Sequence, residues 1–561
     1  MPKSKLNNFK YNLKKILKSF NIRYNNRLNW KKIIPHRTNL YKEIQEKSKI
    51  GKKILIATGT GGYLTCSHFD SVLGVALNRY GANVEFLLCD EALPACQQAI
   101  SARVDEDSFS NKGPKSLCEG CFHSGRMAFD ETQYPINYYS KFISDEEIEN
   151  IDKIVDKTSF EEMKTFRQDD INIGEHALAG TLRYYSVGDI KDEPKREIVL
   201  KRFFKAALIT KKVSDNIFKN KKFDTVILHH GIYVPQGIIL QVANKNKVKV
   251  VTYSPSYRKK AFMFSPNESY EKTMMNEPVD TWRDIELNTK VESKLMNYLT
   301  SRRYGHNDWT YYFKNPNFDV KEELVKIGVD IKKPIISIIP NIIWDAQMIY
   351  PNNIFKNMLE WLFETLKFFE NKDIQVIVRS HPGEINSERI TKQQVKKEIL
   401  KKYSELPKNF FLIGPESSLS TYGLVDFSDT IIIYATKMGM EYAPFGANVI
   451  VGGESYVKNK GFTYDPKTKD EYFKFLEKLP LKTKLSEDKI KLAKKYAYHF
   501  FFRRSIEVST LKHTPKLWPN YNIDDDFYQR LLKKEDKGLD RICKSIINNE
   551  PFVYQDEIYL N

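Results

Sequence analysis

The residues best suited to chemistry sit in short polar runs that close apolar stretches. Arg379-Ser380-His381-Pro382-Gly383 ends the apolar run from Ile374, and Ala435-Thr436-Lys437-Met438-Gly439 follows the run Thr430 to Tyr434. The second run predicts a turn into a short helix with Thr436 as its N-cap. The unpaired N–H groups from Thr436 to Gly439 would suit a phosphate. An ordinary β–α turn without a ligand satisfies the same residues. Glu441 falls in the first turns of that helix, and Pro444 with Gly446 keeps it short. In the first half, His229-His230 closes the run Phe223 to Leu228. That is the carboxyl end of a strand, where open α/β sheets bind ligands.

A second constellation is made of thiols. Cys89, Cys96, Cys118 and Cys121 fall close together, the last two as a C-x₂-C pair. Four thiolates can hold a tetrahedral zinc ion or an iron–sulfur cluster, and His68 or His123 could replace one of them. A C-x₂-C pair also suits a redox dithiol. The spacing is not that of a standard zinc finger, and unliganded thiols in a loop remain the alternative.

The elements that must position these groups form two alternating series. In the first, Ile54 to Ala57, Asn83 to Leu88, Phe223 to Leu228 and Lys247 to Tyr253 read as strands. The glycine-rich Thr58-Gly59-Thr60-Gly61-Gly62 forms the first turn, but it fits neither a phosphate-binding Walker loop nor G-x-G-x-x-G. In the second, strands are expected at Ile335 to Ile339, Ile374 to Arg379, Thr430 to Tyr434 and Asn448 to Val451. Helices are expected over Asn353 to Phe369 and, as one long helix, over Asp488 to Thr510. The predicted fold class is α/β, with two Rossmann-like domains facing a cleft. Residues 1–50 are a basic N-terminal segment, 51–285 a first domain carrying the cysteines, 286–333 a connection, 334–485 a second domain, and 486–561 C-terminal helices.

At 561 residues the chain can bury large cores, and 41% hydrophobic with 29% charged residues is ordinary for a globular protein. The net charge of +18 is unevenly spread, since sixteen Lys/Arg and two Glu fall in residues 1–53. The remainder is nearly balanced, which argues against a nucleic-acid binder. Leu6, Phe9, Leu13, Ile16, Leu17 and Phe20 recur at helical spacing among lysines. This basic amphipathic pattern fits an anionic membrane surface, or else a helix docked on the folded body. No run of 18 apolar residues and no export signal is present, and six cysteines fit a reducing cytoplasm.

The second half resembles the bacterial capsule polysaccharide biosynthesis family of GT-B glycosyltransferases, which includes Kdo transferases that use a CMP-sugar. The resemblance rests on Asn341…Trp344-Asp345, Arg379-Ser380-His381-Pro382, Asp429, Ala435-Thr436…Gly439…Glu441 and Gly461-Phe462-Thr463-Tyr464-Asp465-Pro466. The His-Pro pair is also similar to that of bacterial sialyltransferases. The resemblance implies transfer from a nucleotide-sugar, CMP- or UDP-linked, to a lipid-linked or oligosaccharide acceptor at the inner membrane face. It makes Asn341, Trp344, Asp345, Arg379, His381, Thr436, Lys437, Gly439 and Glu441 the donor site. His381 and the Thr436 amide would meet the donor phosphate, Glu441 the ribose and Asn341 the donor's orientation, without a metal. It also requires a general base in the first domain; Glu175 is the expected residue, ahead of Asp70, His68 and His230. A UDP-GlcNAc 2-epimerase, a CDP-glycerol-type polymerase and a non-catalytic assembly subunit are the alternatives.

Overall fold

A computed structural model describes residues 28–312, 316–345, 353–481, 483–513 and 521–560. The basic helix expected over Leu6 to Phe20 lies outside these residues.

Two parallel sheets organise the chain. The first contains β1 (Lys53–Gly59), β2 (Asn83–Leu88), β3 (Ile136–Tyr138), β4 (Thr225–His229), β5 (Lys249–Pro255) and β6 (Ala261–Pro266). The second contains β7 (Ile335–Ile339), β8 (Gln375–Arg379), β9 (Phe410–Ile413), β10 (Thr430–Ile433) and β11 (Asn448–Val451). β12 (Ile506–Glu507) returns to the edge of the first sheet. The strand orders are β12-β6-β5-β4-β1-β2-β3 and β11-β10-β7-β8-β9. The parallel parts, β3-β2-β1-β4-β5 and β9-β8-β7-β10-β11, therefore share one winding. In each, the order reverses beside the first strand, between β1 and β4 and between β7 and β10. Such a reversal leaves a crevice at the carboxyl ends of the strands. β4, β7, β8, β10 and β11 are buried along their whole length, which explains why their sequences are continuous Ile/Val runs rather than alternating ones.

Several expectations are corrected. The long helix over Asp488 to Thr510 is an α-helix only at Glu487–Tyr498, then widens to a π-turn at His499–Arg504 and ends in β12. The widening seats His499 Nε2 3.0 Å from Glu277 and aims Arg504 at the carbonyls of Phe264 and Phe552. The cysteine stretch is not loop throughout, because Cys118 and Cys121 lie on helix Lys115–Phe129. The connection expected at 286–333 carries helix Thr289–Arg302, which together with Tyr270–Asn276 before it packs an apolar face on the second domain through Met274, Val291, Leu295 and Leu299. Within residues 28–50, Leu28, Trp30, Ile33, Ile34 and Tyr41 are buried in the core of the first half, so this part of the basic segment is docked on the folded body. Among the described residues, no helix is long and apolar enough to cross a membrane.

Candidate functional site

The carboxyl ends of the two sheets enclose a cavity of about 360 Å³. The first half supplies Tyr63 after β1, His229 and His230 at the end of β4, Arg183 from helix Ile173–Tyr185, and Glu271. The second half supplies Asn341 and Asp345 after β7, Arg379, His381 and Arg389 around and after β8, and Thr436 and Lys437 after β10. Groups far apart in sequence meet here because both crevices open toward one another.

His381 is held by its own loop. The Gly383 N–H donates to its Nδ1 at 3.0 Å, so the remaining proton belongs on Nε2. A Cβ at Gly383 would stand 2.8 Å from that ring nitrogen, so the turn depends on a residue without one. The edge of the Tyr312 ring meets the imidazole with centroids 5.3 Å apart. Burial, then the nearby Lys437 and Arg379 charges, pushes the imidazole down to about 3. His381 is thus a neutral hydrogen-bond donor at any physiological pH, suited to an anionic oxygen.

Lys437 brings positive charge beside it. Its Nζ stands 3.4 Å from Glu441, over the ring of Tyr257. Glu441 is not open to a ribose. It is buried, 3.2 Å from Arg302, and accepts the Tyr422 hydroxyl at 2.6 Å. Arg302 in turn pairs with Asp308 at 2.5 Å. Burial opposes ionisation of Glu441, but Arg302 and Lys437 override it and hold the carboxyl below its usual range. The network fixes Lys437 in place from below. The Thr436 side chain is a weak cap, accepting from the Met438 N–H at 3.4 Å, and the cap position falls on Lys437. The helix that follows, Met438–Tyr442, has only 5 residues, so its dipole is small.

Other expected donor residues hold the frame. Arg379 lines the cavity, yet its guanidinium donates to the carbonyls of Ser380, Gly414, Ser417 and Leu419, tying the loop after β9 to the end of β8. Asn341 donates to the Ala435 carbonyl at 2.8 Å and links the loops after β7 and β10. Trp344 donates to Thr391 at 3.0 Å and lies beneath Arg389. Gly439 is buried against Val457 and Ile433.

The general base is where sequence reasoning and structure part most clearly. Glu175 is partly buried, with its carboxyl raised by that burial, but it is not among the residues lining the cavity. Asp70 is a core carboxyl that accepts the Tyr253 hydroxyl at 2.6 Å, and His68 binds the Tyr521 carbonyl. Of the expected candidates only His230 reaches the cavity. Its Nδ1 accepts the Ile232 N–H and its Nε2 faces Gln97 Oε1 at 3.1 Å, so both nitrogens are engaged. It is also one of the few non-glycine residues in the left-handed region, with φ of 32°. The residue missed is Glu271, in the first turn of Tyr270–Asn276. It is 6% exposed, lines the cavity, and among the described residues its Oε2 has no hydrogen-bond partner. Burial raises its carboxyl to about 7, with Asp345 across the cavity adding to the rise. The sequence carried no signal for it, since one Glu in a polar helix looks like a solvated residue.

The four cysteines are neighbours and free thiols, and burial pushes each of them up, Cys118 and Cys121 to about 12. Cys121 Sγ accepts the Gly62 N–H at 3.0 Å. Among the described residues, no group of three or more His, Cys, Asp or Glu is arranged to hold a metal ion. The expected ligands Cys89, Cys96, Cys118 and Cys121 are thus not gathered into such a group. Cys121 packs the first glycine turn, at Gly61 and Gly62, against helix Lys115–Phe129.

No family model matches the chain, and no curated protein matches it. Solved structures similar to it include a β-Kdo 2,4 transferase, KpsC of Thermosulfurimonas dismutans, at 14% identity over 55% of this chain and 87% of that one, with a TM-score of 0.33. The β-Kdo 2,7 transferase KpsC of the same organism matches at 15% identity over 58% and 90%, with a TM-score of 0.31. A UDP-GlcNAc 2-epimerase from Methanocaldococcus jannaschii matches at 13% identity over 78% and 95%, with a TM-score of 0.23.

Proposed function

We propose that the chain is a glycosyltransferase that moves a sugar from a nucleotide-sugar to an acceptor in capsule or other cell-surface polysaccharide synthesis. The observation that carries this reading is a single cavity with unlike chemistry on its two walls. The second half presents a neutral Nε2–H on His381 beside the Lys437 ammonium. The first half presents the buried carboxyl of Glu271, whose Oε2 has no hydrogen-bond partner among the described residues. In the proposed step the bond from the anomeric carbon to the donor phosphate breaks while a bond to an acceptor hydroxyl oxygen forms. The phosphate leaves with the electron pair and is met by His381 and Lys437. Glu271 takes the hydroxyl proton, and burial has tuned its carboxyl for this near neutral pH. The His-Pro and Gly-Phe-Thr-Tyr-Asp runs favour a CMP-linked donor. Residues 1–27 would bring the enzyme to an anionic membrane surface and its lipid-linked acceptors.

One observation favours a second reading. Glu271 and Asp345 face one cavity, both raised by burial. Two such groups flanking a sugar ring could instead exchange a proton at carbon, as a 2-epimerase requires. A thermal-shift screen of CMP-, UDP-, GDP- and CDP-sugars tests the donor site. Incubation with UDP-GlcNAc, read for ManNAc, tests the epimerase. A chain that no nucleotide stabilises would be a non-catalytic subunit, and both enzymatic readings would fall.

A further inference from the structure

Two arginines from opposite halves of the molecule face the same space. Arg183 lies on helix Ile173–Tyr185 and Arg389 in the loop beyond β8. Both line the large cavity and a smaller one of about 160 Å³ that continues from it beside Gly62 and Thr65. Glu388, on the rim, is taken by Arg103 at 2.6 Å. Among the described residues no carboxylate forms an ion pair with either Arg183 or Arg389. Arg183 donates to the Gln97 carbonyl and lies 4.9 Å over the Tyr233 ring. Arg389 lies 5.6 Å over the Trp344 ring, and its Nε is buried with no acceptor.

The electrostatics agree with the geometry. Burial and then the Arg183 charge pull Arg389 down to about 9, and Arg183 is lowered by burial as well. Asp345 is near enough to feel both, but it is one carboxylate against two guanidiniums. Holding two desolvated cations together costs free energy unless an anion joins them. An aromatic ring lies beneath each guanidinium, and apart from the Arg183 bond to Gln97 the N–H groups on their edges can meet a forked ligand.

We infer that this space binds an anionic group, a carboxylate or a phosphate, carried by the acceptor sugar and clasped between Arg183 and Arg389. Calling the ligand an acceptor rests on the transferase reading, because the donor phosphate falls to His381 and Lys437 on the other wall. The anion site itself does not depend on that reading.

The test is calorimetric titration of the full chain, in buffer free of phosphate and sulfate, with glucuronate, glucose 6-phosphate and glucose. One charged sugar is expected to bind at least about tenfold tighter than glucose, as charge-assisted hydrogen bonds allow. The charged sugar that wins distinguishes a carboxylate from a phosphate. R183Q and R389Q should each remove the preference. If melting shows that R389Q does not fold, R389K serves instead, and loss of the fork should weaken the charged sugar at least about threefold. Equal binding of all three sugars, or a preference unchanged in the arginine variants, would overturn the proposal. H381A should keep the preference while losing stabilisation by nucleotides. Loss of nucleotide binding in the unmodified protein would sink the transferase reading and leave the anion site standing.

Discussion

Glu271→Gln should move stability and catalysis in opposite directions. The carboxyl is raised from 4.5 to about 7 in the folded chain, chiefly by burial. A shift of that size corresponds to about 3 kcal/mol, at 1.36 kcal/mol for each pKa unit. The folded state holds the proton more tightly than the unfolded state. Stability is therefore fully present below about pH 4.5 and falls as pH rises toward about 7, beyond which the loss is complete. Glutamine has the shape of the protonated acid and never ionises. The variant should match the unmodified protein near pH 4.5 and exceed it by up to about 3 kcal/mol at pH 8. Melting curves at the two pH values read this as a gain of a few degrees present only at the higher one. Turnover in a sugar-transfer assay should fall by about 10²–10⁴, the usual worth of a positioned base. In the unmodified enzyme turnover should climb with pH and level off just above 7. A variant that keeps its turnover, or melts with the same offset at both pH values, would remove Glu271 from the mechanism.

H381A should reduce turnover by about 10²–10³, the cost of losing one charge-stabilising donor, without unfolding the chain. Because the imidazole titrates near 3, donor binding between pH 5 and 8 should show no step assignable to this histidine. R302M would leave Asp308 buried without its cation and Glu441 with Lys437 alone, and should cost about 3–5 kcal/mol in urea denaturation. A cost below about 1 kcal/mol would show the network to be dispensable. Cys121 should react slowly with thiol reagents at pH 7, because burial keeps it protonated, and all six cysteines should react once unfolded. Stoichiometric zinc in the purified protein would refute that account of the thiols.

The buried parallel strands were legible because both their faces are covered. Ile335 to Ile339 and Thr430 to Ile433 are apolar throughout, and the turns that follow them carry the polar residues. Four strands were hidden, for two reasons. β3 spans 3 residues, β9 only 4 and β12 only 2, too few for any periodicity, and β6 follows β5 as an antiparallel partner, outside the alternating strand–helix pattern that marked the others. The donor wall was read from the right loops but with some roles misplaced. Arg379 and Glu441 look like ligand groups in a sequence, and only packing reveals that carbonyls and Arg302 consume them. Glu271, Arg183 and Arg389 could not be found in advance. Nothing local sets them apart, and their character comes from losing water when the halves meet.

The return of the chain to the first sheet has a consequence for biosynthesis. The core beneath β1 and β2 includes Ile506, Val508, Leu511, Phe527, Leu539, Ile542 and Phe552 alongside Phe69 and Phe86. The first half thus lacks one wall until the stretch from Ile506 to Phe552 has been made. Meanwhile the second sheet, β7 to β11, already has all of its strands. Until that closing segment arrives, the side of Phe69 and Phe262 that it covers stays open to water.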